Sequence, residues 1–287
     1  MDKIRIVIVD DSPFSIALLR GTLEEQGFEV VGEAGNLEEV KEVIADKKPN
    51  LVTMDMTLPG TDGLECTRAI HEIDKSIKVI VVSAMMDDEI VKKAKQSKVS
   101  AYIQKPVDAD ELKTAIERVM ASEDLYKMLE QEYFVVFKEG LMDGVNRMTK
   151  TLITYADACH CKEEQESRGM TVIIGIIGKF SGRLLLDLSM ETANNLSAAL
   201  LRREPKDNNE IIAALGEFAN IVTGNACSIL NRKNKAFGFR IAPPSILHGD
   251  VVHISVPDFD TISICADSEY GEILLNVGFK RGDDNWM

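Results

Sequence analysis

The chain has 287 residues, about two domains' worth by the usual length, and its 45% hydrophobic and 28% charged residues are those of a globular protein and not of a disordered one. A formal net charge of −14 leaves no basic stripe for neutralising phosphates, which argues against nonspecific nucleic-acid binding. The longest apolar runs, from Ile4 and from Val79, are too short to span a bilayer, and no basic segment leads into a longer one, so a cytoplasmic protein without membrane insertion is expected.

Short apolar runs alternate with amphipathic stretches through the first 121 residues, the pattern of βαβ units. Ile4–Val9 is predicted as a strand and Ser15–Gln26 as a helix ended by Gly27. Glu29–Gly32 (strand), Leu37–Lys47 (helix), Leu51–Met54 (strand) and Gly63–Ile73 (helix) follow. Val79–Val82 (strand), Asp87–Ser97 (helix), Ala101–Ile103 (strand) and Ala109–Ala121 (helix) complete the set. The strands are nearly all apolar, as in a parallel sheet covered on both faces. The expectation is an α/β, flavodoxin-like, doubly wound sheet of five strands with ligands at the carboxyl ends of the strands.

After Ala121 the pattern changes. Glu123 to Tyr155 reads as mostly helical, and 122–132 is taken as a helical linker between a domain at 1–121 and a second at 133–287. Thr171–Phe180 and Arg183–Ser189 form a predicted hairpin with Gly182 at its corner. Helices are predicted at Glu191–Leu201 and Asn208–Leu230, then strands at Val251–Val256, Thr261–Ala266 and Glu272–Lys280. The second domain is therefore expected to be α+β. Five scattered cysteines do not make a disulfide framework, and Cys159-His160-Cys161 lacks the spacing and second ligand pair of a zinc site.

Chemistry-bearing residues sit at strand ends in the first domain: Asp10 and Asp11 after strand one, Asp55 after strand three, Ser83 after strand four and Lys105 after strand five. All these ends open on one edge of a parallel sheet, so the side chains converge. Each acid taken singly could be a cap or turn residue. Together, three carboxylates in one pocket call for a cation, and oxygen-only ligands suit Mg2+. Magnesium and the Lys105 ammonium would neutralise a phosphoryl group arriving on Asp55, with Ser83 bonding a phosphate oxygen. Lys105-Pro106 marks a sharp turn aiming the lysine inward. The ordered set, with the stretch DMTLPGTDG from Asp55, resembles the CheY-like receiver family over residues 3 to 121. The resemblance implies phosphorylation of Asp55 by a histidine kinase, with Tyr102 as the aromatic switch residue moving inward together with Ser83. Thr57 and Met85, each two residues beyond a pocket residue, are expected to tune phosphate lifetime.

The informative stretch of the second half is EIIAALGEFANIVTGNACSIL from Glu210. Read as a helix, it places Ile211, Leu215, Phe218, Val222 and Ile229 on one apolar face. Glu217 and Asn220 share another face, with Ala213, Gly216, Ala219 and Gly224 around them. An ordinary solvated face would show the same spacing. GEFANIVTGNA, however, resembles the Glu-x-x-Asn region of the CheX/CheC/FliY phosphatases of chemotaxis, with Pro243 matching the proline that follows in that family. One such motif makes CheX the nearer relative, and Ala213 stands where many relatives carry Asp or Ser. The resemblance implies a catalytic pair: Asn220 orients the water that hydrolyses an aspartyl phosphate, and Glu217 pairs with the substrate receiver's lysine. It also implies a phosphorylated CheY-like receiver as substrate and a homodimer formed through the C-terminal domain. The substrate receiver could be separate or this chain's own Asp55. A second reading makes the C-terminal domain a non-catalytic binding or dimerisation module controlled by phosphorylation.

Overall fold

The computed structural model describes residues 3–85, 88–157, 159–160, 165–249, 253–255 and 257–281. They divide between Leu125 and Tyr126 into two compact units.

In the first unit, strands β1 (Arg5–Val9), β2 (Glu29–Ala34), β3 (Leu51–Met54), β4 (Lys78–Ser83) and β5 (Ala101–Gln104) form one parallel sheet of order β2-β1-β3-β4-β5. Helices α1 (Pro13–Glu25), α2 (Leu37–Lys47), α3 (Gly63–Ile73), α4 (Asp88–Gln96) and the start of α5 (Ala109–Thr149) connect the strands and follow the last of them. The central strands β1, β3 and β4 are buried almost throughout because both faces are covered, whereas the edge strand β2 is mostly half-buried. Val7, Val9, Val52, Met54, Val79 and Val81 pack in one cluster, and Ile6, Ile8, Leu51, Ile80 and Val82 pack in the other. Side chains cap the helices where the sequence provides them: Ser12, Asn36 and Asp62 each accept a backbone N–H of the following first turn.

The expected strands and helices of this half are present, with ends shifted by a residue or two. α1 starts at Pro13, where proline's missing N–H costs nothing in a first turn. Ser83 is the last residue of β4 and does not lie beyond it. Asp87, the expected start of the fourth helix, lies outside the described residues. α5 does not stop at Ala121; it continues to Thr149 without a break, so the second helical stretch is the same helix. Ser122 and Glu123, expected in a linker, are buried within this helix.

The second unit is built on an eight-stranded antiparallel sheet. Its strands are β6 (Thr154–Tyr155), β7 (Cys159–His160), β8 (Gly169–Ile177), β9 (Gly182–Ser189), β10 (Arg240–Ile241), β11 (Ser245–His248), β12 (Thr261–Ser268) and β13 (Gly271–Phe279). The main path runs β10-β8-β9-β13-β12-β6, with β11 pairing β8 and β7 pairing β12. Two further helices, α6 (Met190–Leu201) and α7 (Asn208–Lys233), complete it. Gly182 is not the hairpin corner. It is the first residue of β9, paired with Ile176, and a Cβ there would lie 2.5 Å from Phe279 Cδ1, so the glycine makes room for a core ring. Of the strand expected at Val251–Val256, only residues 253–255 are described, and His253–Ile254 pairs with Gln165–Glu166.

Two glycines of α5 bring it close to α7. A Cβ on Gly144 would lie 2.8 Å from Val222 Cγ2 and 3.4 Å from Phe218 Cε2, and one on Gly140 would stand 3.6 Å from the Val222 carbonyl. The core face of α7 buries Ile211, Leu215, Phe218, Val222, Ala226 and Leu230. Leu230 takes the core place expected of Ile229, which is only half-buried.

Candidate functional site

The first unit gathers its acidic and basic residues through sheet register. Val9 pairs Met54, so the next residue on each strand, Asp10 and Asp55, stand side by side, and Asp55 N–H donates to the Val9 carbonyl at 2.8 Å. Ser83 pairs Gln104, and Lys105 N–H donates to the Ser83 carbonyl at 2.8 Å. Lys105 Nζ then reaches back across the sheet edge, 2.7 Å from Asp10 Oδ2 and 3.1 Å from Asp55 Oδ1. The Lys105–Pro106 peptide is cis.

Asp10 is buried, Asp55 half-buried and Asp11 exposed, and one carboxylate oxygen from each lies within 4.8 Å of the others. Three carboxylates against one ammonium leave a pocket with excess negative charge. Burial pulls the Lys105 amine towards the neutral form, but the hydrogen bonds it donates to Asp10 and Asp55, with their negative charges, outweigh it and hold the pKa above the ordinary lysine value. Lys105 is therefore a fixed positive charge. The donor set, oxygen atoms only and partly open to solvent, is of the type that suits a magnesium ion.

Ser83, Asp55 and Tyr102 make further contacts at this end of the sheet. Ser83 is buried, and its Oγ accepts Met85 N–H at 3.2 Å, which leaves the hydroxyl proton free to donate. Asp55 Oδ2 accepts Thr57 N–H at 3.1 Å. Tyr102 is buried and donates its hydroxyl to the Met85 carbonyl, so the ring already lies inward. The Met85 side chain is 50% exposed. Gly63 allows α3 to start close behind the acceptor loop, since a Cβ there would lie 2.3 Å from the Asp55 carbonyl oxygen.

In the second unit, Glu217 and Ala213 are exposed on α7 and Asn220 is half-buried. Ala219 belongs to the core instead, at 0% exposure. The flat flank expected for a partner is partly taken by the chain itself. Cβ positions on Gly216 would stand 3.2 Å from Ile246 Cδ1 and 3.5 Å from Pro244 Cγ, and one on Gly224 would stand 3.7 Å from Ile241 Cδ1. Pro244 is the proline beside the helix, whereas Pro243 is exposed. Asn231, which sequence reasoning missed, donates to the Phe239 carbonyl at 2.9 Å and accepts the Phe239 N–H at 2.8 Å, tying this segment to α7. Nothing in the spacing Asn231…Phe239 announces that contact. Cys66 and Cys227 are buried free thiols and Cys265 is a half-buried one; Cys161 lies outside the described residues.

A doubly wound parallel sheet of order 2-1-3-4-5, with an acid cluster, a hydroxyl and a lysine at its carboxyl edge, defines the class of receiver modules that respond to phosphorylation. The comparisons with known proteins agree. The family model for the response regulator receiver domain matches residues 6–117, and that for the chemotaxis phosphatase CheX matches residues 170–266. Over 116 residues, 40% of this chain and 97% of the relative, the chain is 38% identical to the chemotaxis protein CheY of Bacillus subtilis. It is 36% identical to CheY of Thermotoga maritima over 115 residues, 40% and 96% of the two chains. Among solved structures it is similar to a chemotaxis protein CheX from Desulfovibrio desulfuricans, at 21% identity and a TM-score of 0.47, covering 52% of this chain and 99% of that one. The chain belongs to the response-regulator receiver family. It joins a CheY-like receiver to a CheX-like domain, a combination that indicates chemotaxis signalling. Among the described residues, no helix is long and apolar enough to cross a membrane.

Proposed function

We propose that this protein is a signalling phosphatase: its C-terminal domain hydrolyses the aspartyl phosphate of a CheY-like receiver, under control of its own phospho-accepting receiver. The reading takes residues 1–121 as the receiver, 122–132 as a helical linker and 133–287 as the phosphatase domain. Asp55 is the phosphoacceptor, with a histidine kinase as donor in the cytoplasm. Asp10, Asp11 and Asp55 would hold Mg2+, which when bound supplies positive charge against the phosphoryl oxygens. Lys105 contributes a second charge and Ser83 a hydrogen bond, while Tyr102 reports occupancy to the surface around Met85.

The observation that carries the phosphatase reading is an exposed Glu217 and a half-buried Asn220 three residues apart on α7, in the segment that matches the CheX family model. An acyl phosphate already sits among the charges that ease its cleavage; what its hydrolysis lacks is a water held in line with phosphorus. The Asn220 carboxamide orients that water by hydrogen bonds. The new bond joins water oxygen to phosphorus while the phosphorus–carboxylate bond breaks, releasing inorganic phosphate and a free aspartate. Exposed Glu217 pairs with the lysine of the substrate receiver, and exposed Ala213 leaves room for its approach. Homodimerisation through the C-terminal domain would allow action on the Asp55 phosphate of the other protomer.

The test is the decay of a phosphorylated CheY-like receiver, prepared with a small phosphodonor, with and without catalytic amounts of this protein. The full chain should speed decay, and Asn220→Ala should reduce turnover about 100-fold while retaining binding, as loss of positioning does. Asp55→Ala shows whether the attached receiver matters. Unchanged decay for several receivers, phospho-Asp55 included, would instead favour a non-catalytic binding module.

A further inference from the structure

The Asn220 side chain is half-buried, but its Oδ1 is fully buried and has no hydrogen-bond partner among the described residues. One end of the carboxamide is sealed and unsatisfied.

The positions one turn before and one turn after Asn220 stand beside the chain's own sheet edge. Gly216, Asn220 and Gly224 stand four residues apart, on one stripe of α7. Pro244 and Ile246 lie against the Gly216 position and Ile241 lies against the Gly224 position, so residues 241–246 run along the flank of Asn220 from one turn before it to one turn after. This segment is well fixed. Arg240 and Ile241 pair with β8, Ala242 N–H donates to the Gly175 carbonyl at 2.8 Å, and Asn231 holds both backbone groups of Phe239. Pro243-Pro244 interrupts the ladder between β10 and β11, as proline does on an edge strand, and Pro244 lies at the Gly216 position.

We infer that Ile241 and Pro244 are positioning residues for Asn220: they hold its carboxamide with the oxygen buried and unpaired, so that this oxygen gains its missing hydrogen bond only when a docked receiver presents a water that donates to it. This rests on the phosphatase reading above. A buried polar atom without a partner carries its full desolvation cost. That cost weights against the retracted orientation, and the wall formed by residues 241–246 restricts the alternatives to those pointing outward. The interaction is therefore stronger in the reacting complex than in the free protein, which is where binding energy raises kcat.

Steady-state dephosphorylation by the full chain over a range of phospho-receiver concentrations tests this. Ile241→Ala should lower kcat roughly tenfold with KM changed by less than about twofold, the signature of lost orientation and not of lost docking. Ile241→Val, which keeps most of the wall, should restore most of kcat. A rise in KM at unchanged kcat would make the segment a docking surface and overturn the positioning role. So would unchanged kinetics in Ile241→Ala. No turnover in the wild-type chain would overturn the phosphatase reading and the positioning role together. Thermal unfolding gives an independent reading of the seal: Asn220→Leu, which removes the unpaired atom at similar volume, should raise the midpoint. A lower midpoint in that variant would mean that the amide is satisfied in the free protein and would sink the inference.

Discussion

Lys105 shows how much one side chain settles at the phosphoryl-acceptor edge. It touches Asp10 and Asp55 at once, and the two contacts oppose the cost of bringing its charge out of water. That role was legible in the sequence, because a lysine directly after a buried apolar run can only leave the sheet at its edge, where the acids from other strands also end. A second ionic contact was not legible. Lys78 Nζ lies 2.9 Å from Glu123 Oε2 with both side chains almost fully buried. The partners stand 45 residues apart in sequence, and Glu123 read as part of a linker. Charge out of water is costly, so the two groups depend on one another. Removing one partner, as in Glu123→Ala, should cost about 3–5 kcal/mol of stability in urea unfolding, because it strands the other charge. The double variant Lys78→Met, Glu123→Leu should recover most of it. A double variant as unstable as the single would show that the pair supplies specific geometry which apolar packing cannot replace.

At the scale of elements, α7 explains most about the second unit. Its N-terminus is held by a compact arrangement: Asp207 caps the Glu210 N–H at 3.0 Å, and Glu210 accepts Lys206 N–H at 2.9 Å and pairs with both Arg203 nitrogens at 2.7 and 3.0 Å. The Arg203 hydrogen bonds, helped by the Lys206 N–H, lower the Glu210 carboxyl to about 2. A carboxyl depressed on folding stabilises the native state above its unfolded pKa, and that contribution is lost as pH falls from the ordinary glutamate range through about 2. Glu210→Gln should therefore be less stable than the wild type near neutral pH, and the gap should close as unfolding is followed down to pH 2. A gap that stays constant with pH would place the effect in packing or helix propensity and not in ionisation. The spacing of Ile211, Leu215, Phe218 and Val222 revealed this helix, but not the element it meets. The approach of α5 depends on Gly140 and Gly144, which in sequence are two glycines inside a long helix. Likewise α5 read as two helices, because Ala121 ends the receiver's apolar repeat, whereas the tertiary structure uses the next turns, through Leu129, Phe137 and Leu141, in the second unit's core.

For the whole molecule, the net charge of −14 and the acid cluster act together, since the folded receiver concentrates three carboxylates that an unfolded chain would keep apart. Any ion that binds only the folded arrangement must stabilise it. Millimolar Mg2+ should raise the unfolding midpoint of the protein, by an amount equivalent to about 2.7 kcal/mol at a hundredfold excess over Kd. Asp11→Asn, at an exposed position that contributes little to the fold, should remove that rise. An equal rise in the variant would assign the effect to general screening of the acidic surface.

By itself, the sequence determined the parallel sheet, the convergence of Asp10, Asp11, Asp55, Ser83 and Lys105, and the helix that carries Glu217 and Asn220. Those features are local, since apolar runs of strand length and a helical repeat report their own burial, and a parallel sheet then sends every strand end to the same edge. Only the tertiary structure decided what lies beside Asn220, that Glu123 is ion-paired inside the protein, and that α5 runs unbroken to Thr149. Each of these rests on contacts between residues far apart in the chain, or on glycines whose value is the space they leave, and neither leaves a periodic mark in the sequence.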